Sequence, residues 1–186
     1  MSGVLVEVDA DPGVWLAGPS DPEQGPAWAG VAVEAVAADF GLPVGAPERD
    51  ALHEVLTAFA TARLDSPLRF LRLRSLADPP LVVRVDVVPH DPAAPDPLLT
   101  HDEDLAWYDH AATVSDVDAT AGLRRSVRLY VDDGVLAVVR HHRRVLDGTV
   151  DVVLTCSGVD LLSAGLGMAD LDALARGVHV SVQDDA

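Results

Sequence analysis

The stretch from residue 123 to residue 156 constrains this chain most. Three runs, residues 123–131, 135–145 and 149–156, are dense in Val, Leu and Thr, and they are separated by Asp132-Asp133-Gly134 and by Asp147-Gly148. Asp-Gly between alternating apolar runs is the strongest short hairpin signal, because the tight turns that match strand twist need positive φ. The three runs therefore read as an antiparallel meander.

Two more strands precede it. Leu71 and Leu73 alternate with Arg72 and Arg74, and Val83, Val85 and Val87 alternate with Arg84 and Asp86. With a turn at Ala77–Pro80 between them they read as a hairpin of residues 68–74 and 81–88. Residues 4–8 and 14–17 are further short strands, and residues 178–182 a last one.

Helical patterns cover residues 28–40, residues 47–64 and a short segment at 169–176 capped by Gly177. The second is the best defined: Pro47, Glu48 and Asp50 suit a first turn, and Leu52, Val55, Leu56 and Phe59 share one face. The predicted fold class is α+β, a largely antiparallel sheet of at least five strands packed against helices, the 47–64 helix above all. The apolar partners expected for that helix are Val83, Val85, Val87, Val127, Leu129, Val152 and Leu154. With 186 residues the chain fits one domain, 1–186. Residues 89–121 hold four prolines, three histidines and eight acids without a clear period, and read as an irregular acidic loop.

Composition excludes more than it identifies. Hydrophobic residues make up 49% and charged residues 23%, the balance of a chain with a core. There is one Cys and no run of about 20 apolar residues, so the cytoplasm is the default compartment and membrane insertion is not expected. Lys, Asn and Ile are absent, an actinobacterial-type composition of GC-rich coding. The lack of Lys removes phosphate loops and Schiff bases that depend on it. A net charge of −17 argues against nucleic acid and anionic membranes as partners. A core of this size calls for no cofactor or structural metal.

The order of elements resembles the PsbP-like α/β/α sandwich family: a helix before the sheet, the Asp-Gly meander at 123–156, and the closing "DLDALARGVHVSV" at residues 170–182. That resemblance implies a non-enzymatic binding or assembly role and assigns no site residues.

Several motifs weaken on inspection. Asp116-Val117-Asp118-Ala119-Thr120 matches the nucleophile motif of haloacid dehalogenase-like enzymes, but lacks the buried strand before it that such a nucleophile requires. Gly165 and Gly167 lack the third glycine of a dinucleotide loop. His90, His101 and His110, with Asp102, Glu103, Asp104 and Asp109, are metal-ligand types at a spacing that preorganises nothing. Cys156 with His141 or His142 could be a nucleophile and base, yet its strand face is apolar, so a core thiol is expected.

Charge is distributed unevenly. Residues 85–123 hold nine acids and no base, whereas residues 124–144 hold six Arg against two acids. If both strand groups lie in one sheet, Arg72, Arg74, Arg84, Arg128, Arg140, His142 and Arg144 can share its polar face. Such a face could bind a protein partner or a small anionic ligand through planar guanidinium forks, or be neutralised by the 89–121 loop acting as a weakly held lid. The expected function is non-catalytic binding or assembly. The alternative is a small enzyme or ligand sensor built on that face, and a deep pocket lined by those groups rather than a flat face would favour it.

Overall fold

The computed structural model describes residues 3–62, 66, 68–100, 112–132 and 134–183. Among them the fold is α+β, with three helices, a seven-stranded antiparallel sheet and a two-stranded pair. The larger sheet follows the order β2-β3-β4-β8-β7-β6-β5, built from β2 (Trp15–Ala17), β3 (Leu68–Arg72), β4 (Leu81–Pro89), β5 (Thr113–Asp118), β6 (Leu123–Asp132), β7 (Gly134–Val145) and β8 (Val150–Asp160). The pair joins β1 (Gly3–Val8) to β9 (Val178–Gln183). No helix among the described residues is long and apolar enough to cross a membrane. The chain divides into two compact units, one of residues Gly13–Arg84 and one of Met1–Pro12 with Val85–Ala186.

In the Gly13–Arg84 unit, helices α1 (Gly25–Asp39) and α2 (Pro47–Thr61) enclose a small apolar core. Pro26 and Pro47 lie in the first turns, where a missing N–H costs nothing, and Glu48 and Asp50 oppose the positive end of the α2 dipole. The apolar face of α2, with Leu52, Leu56 and Phe59, buries against Ala29, Val33 and Val36 of α1 and Leu71 of β3. That differs from the sequence reading, which sought its partners among the later strands. Helix α1 has few charged residues and offers apolar surface on more than one side, so it serves as the nearest cover. Arg69 is buried here. Its guanidinium donates to the carbonyls of Ala60 and Ala62 at the end of α2 and to Pro19, and lies 5.7 Å over the Phe59 ring. A cation at a helix C-terminus stabilises the dipole and satisfies carbonyls the helix cannot.

In the other unit the meander forms as read. Strands β6, β7 and β8 pair in succession, and the register sets Arg124 opposite His142, Ser126 opposite Arg140, and Arg144 opposite Asp151. Directly opposed residues share a face. One face therefore carries Arg124, Ser126, Arg128, Arg140, His142 and Arg144 with Asp151 and Thr155. The other carries Arg125, Val139, His141, Val152, Leu154 and Cys156, and α3 (Leu161–Arg176) packs against its strands β7 and β8.

Two elements depart from the sequence reading. Helix α3 begins eight residues before the expected 169, because the Asp160 carboxylate caps it by accepting from the Ser163 amide, and Gly165 and Gly167 are carried inside it. Within the span read as irregular loop, Thr113–Asp118 is a strand, β5, at the edge of the sheet. It sets Asp116 opposite Arg124 and Ser115 opposite Arg125, and Arg125 donates to the Ser115 hydroxyl, so polar contact across the ladder stands in for the missing apolar alternation.

Candidate functional site

The Arg-bearing face of β6–β8 is not bare. The segment after β4 crosses it, held at four points. His90 contacts Asp151 at 2.8 Å, Asp96 contacts Arg124 at 2.9 Å, and Arg128 donates to the Leu99 carbonyl at 3.1 Å. Arg140 donates to the Thr100 carbonyl. Leu98 is buried beneath the segment, and Asp96 turns the chain there by accepting from the Leu98 amide. Arg128 and Arg140 thus face main-chain carbonyls, not solvent. The remainder of the expected loop, residues 101–111 with His101, His110, Leu105, Trp107 and Tyr108, lies outside the described residues.

Between this segment and the sheet lies a cleft of about 430 Å³, within the range of small-molecule sites. Arg124, His142, Arg144 and Asp151 line it from the sheet, and residues 88–92 and 94–97 line it from the segment. At its base the buried Asp151 carboxylate meets three groups. His142 Nε2 lies at 2.8 Å and His90 Nδ1 at 2.8 Å, and Arg144 donates through Nε at 2.9 Å. Burial alone would raise the Asp151 pKa, but the hydrogen bonds from His142, Arg144 and His90 outweigh it and hold the carboxyl well below the usual range. An ionised carboxylate only accepts, so each imidazole presents an N–H to it. In the neutral forms this fixes both tautomers: His90 keeps its lone pair on Nε2 and His142 on Nδ1.

Of the seven expected site residues, the structure brings His142 and Arg144 together in this cleft and places Arg128 and Arg140 beside it under the crossing segment. Arg72, Arg74 and Arg84 belong to the Gly13–Arg84 unit. There Arg72 is buried with Nη1 3.9 Å from Asp78, and Arg74 lies beyond the end of β3. Arg124, Asp151 and Asp96 were missed by sequence reasoning, and His90 was read only as a metal-ligand type. The turn at Asp147-Gly148 carried the signal for Asp151, since counting outward from it sets Asp151 opposite Arg144.

The opposite face holds a second polar cluster under α3. Arg125 grips both Asp172 oxygens at 2.8 and 2.7 Å, and His141 Nε2 lies 2.7 Å from Asp172 Oδ1. Burial pushes the His141 pKa down, against the opposing pull of Asp172. Cys156 is buried on this face, and burial raises its thiol pKa to about 12. It is a core thiol, not a nucleophile. Asp118 of the phosphotransferase-like motif caps a turn by accepting from the Thr120 and Ala121 amides. No group of three or more His, Cys, Asp or Glu among the described residues is arranged to hold a metal ion.

No protein-family model matches the chain, and no curated protein matches it.

Proposed function

We propose that the chain is a non-catalytic binding protein and that the cleft over Arg124, His142 and Arg144 holds a small anionic ligand. The observation that carries this is how the two arginines are held. Arg124 donates from Nη2 to Asp96, and Arg144 donates from Nε to Asp151. A guanidinium has five N–H groups, so each arginine is oriented by a carboxylate and keeps further donors without a partner among the described residues. Both line the same cleft. Fixed forks with spare donors suit a carboxylate or phosphate, because little side-chain freedom is lost when the anion arrives. A pocket of this kind also favours a small ligand over a flat protein docking face. The PsbP-like resemblance implies a binding role as well, and a single buried thiol suits a reducing compartment such as the cytoplasm.

Isothermal titration with inorganic phosphate and with acetate tests the reading. The expected result is saturable one-to-one binding by at least one of them, with a Kd of about 1 mM or tighter, weakened about tenfold or more in Arg144→Gln. Absence of saturable binding by either anion would overturn it.

A further inference from the structure

The wall facing the two arginines is unusual chemically. It is formed by residues 88–92 and 94–97, and four of these, Pro89, Pro92, Pro95 and Pro97, have no N–H to offer. Four main-chain donors around them are committed. The His90 amide donates to Thr149 and the Ala94 amide to Asp91 within the chain trace, and the Ala93 and Leu98 amides donate to the carboxylates of Asp91 and Asp96. Val88, Pro89, Pro92, Ala94 and Pro95 are exposed, so this apolar surface is not buried against the described residues.

The cleft is therefore two-sided. Arg124 and Arg144 stand on the sheet side with His142 and Asp151, and on the other side pyrrolidine rings and small apolar side chains alternate with His90, Asp91 and Asp96. A bare inorganic anion would use the first side and leave the second wet. The polar groups between the prolines, the Asp91 and Asp96 carboxylates, are acceptors that already take bonds from Ala93, Leu98 and Arg124, so the wall offers a polar ligand little beyond them. The complementary shape is a flat apolar body carrying one anionic group, and about 430 Å³ accommodates a single ring system of that kind.

We infer that the ligand is a small ring-bearing acid, an aromatic carboxylate or its close equivalent. Its carboxylate lies on Arg124 and Arg144, and its ring lies against Pro92 and Pro95. This rests on the anion reading above and narrows it. Burying a ring face adds affinity in proportion to apolar area, which acetate and phosphate cannot match.

The test is competition by isothermal titration of the full chain with benzoate, acetate and inorganic phosphate at fixed pH and ionic strength. The expected result is that benzoate binds about tenfold or more tightly than either simple anion, with a negative heat-capacity change that acetate lacks. Benzoate binding should fall about tenfold or more in Arg144→Gln and in Arg124→Gln, both checked for an unchanged melting transition. Both side chains are part-exposed, so at least one variant is expected to fold. If the simple anions bind as tightly as benzoate, the ring-acid inference fails while the anion reading stands. If nothing binds, or if benzoate binding is indifferent to both arginines, both fail.

Discussion

Replacing Asp151 with alanine removes the one acceptor that three side chains share. The cost can be built up from their exposure. His142 is 5% exposed, so its Nε2–H would be left buried without an acceptor, a loss of about 1–3 kcal/mol. The His90 side chain is 20% exposed and would recover part of its bond from water, for a loss of about 1 kcal/mol. Arg144 is 43% exposed at its side chain and would rehydrate, so its share is about 0–1 kcal/mol. Removing the carboxylate also relieves its own desolvation, which sets the sum near 3 kcal/mol, at the lower end for breaking a buried charged pair. In a chain of this size that is a fall in Tm of about 6–12 °C. Urea unfolding at pH 7 measures it directly, with the slope unchanged if only the native state is affected. The sign of the pH dependence follows from the same contacts. The folded carboxyl titrates below its unfolded value of about 3.9, so the unfolded chain binds more protons in that window. Its contribution is present above pH 4 and lost as pH falls further, and Asp151→Ala should flatten that limb. A loss under about 1 kcal/mol with an unaltered acid limb would refute the claim that Asp151 anchors the cleft.

On the opposite face, His141 is held neutral by burial, with a folded pKa below the unfolded value of about 6.5. Stability from it is fully present above that value and lost as pH falls through the folded pKa; His141→Gln should remove this component from a pH series of melting curves. Cys156, buried with its thiol at about pKa 12, should resist a thiol reagent in the native chain at pH 8 and react at once in urea, as absorbance of the released chromophore would report. Gly177 accepts from the Asp9 amide through its carbonyl, and a Cβ at this position would run into the Asp9 carbonyl. Gly177→Ala should therefore separate β1 from β9, seen as faster hydrogen exchange at Leu5, Glu7, His179 and Ser181, whose amides face the partner strand when Asp9 and Gly177 form a hydrogen-bonded pair.

The parts of the fold that were legible are those where local chemistry and tertiary packing agree. The β6–β8 meander could be read because turn residues and strand runs alternate over more than thirty positions, and α2 because its first-turn residues and its apolar face coincide. Strand β5 was hidden. It is held by its backbone ladder with β6 and by Arg125 donating to the Ser115 hydroxyl across it, a relation between distant residues that composition cannot register. The start of α3 was hidden by its glycines, since the Asp160 cap outweighs their low propensity. The same division holds for the cleft. His142 and Arg144 were visible as polar residues of matching parity on one strand, but the carboxylate that orients them comes from β8 and the wall above from residues 88–97. The proline cluster that made this wall read as loop is what gives it rigid apolar surface and few main-chain donors. Only register, counted outward from the two turns, would have placed Arg124 and Asp151 beside His142.

An anion held in this cleft by Arg124 and Arg144 lies beside His90 and His142, which line the same cleft. Side-chain NMR of the guanidinium and imidazole resonances, followed during a phosphate titration at constant pH and ionic strength, tests it most directly. Arg124, Arg144, His90 and His142 should shift together along one saturating curve, while His141, buried across the sheet beside Asp172, stays in place. Shifts that never saturate, or that spare these four residues while moving others, would contradict it.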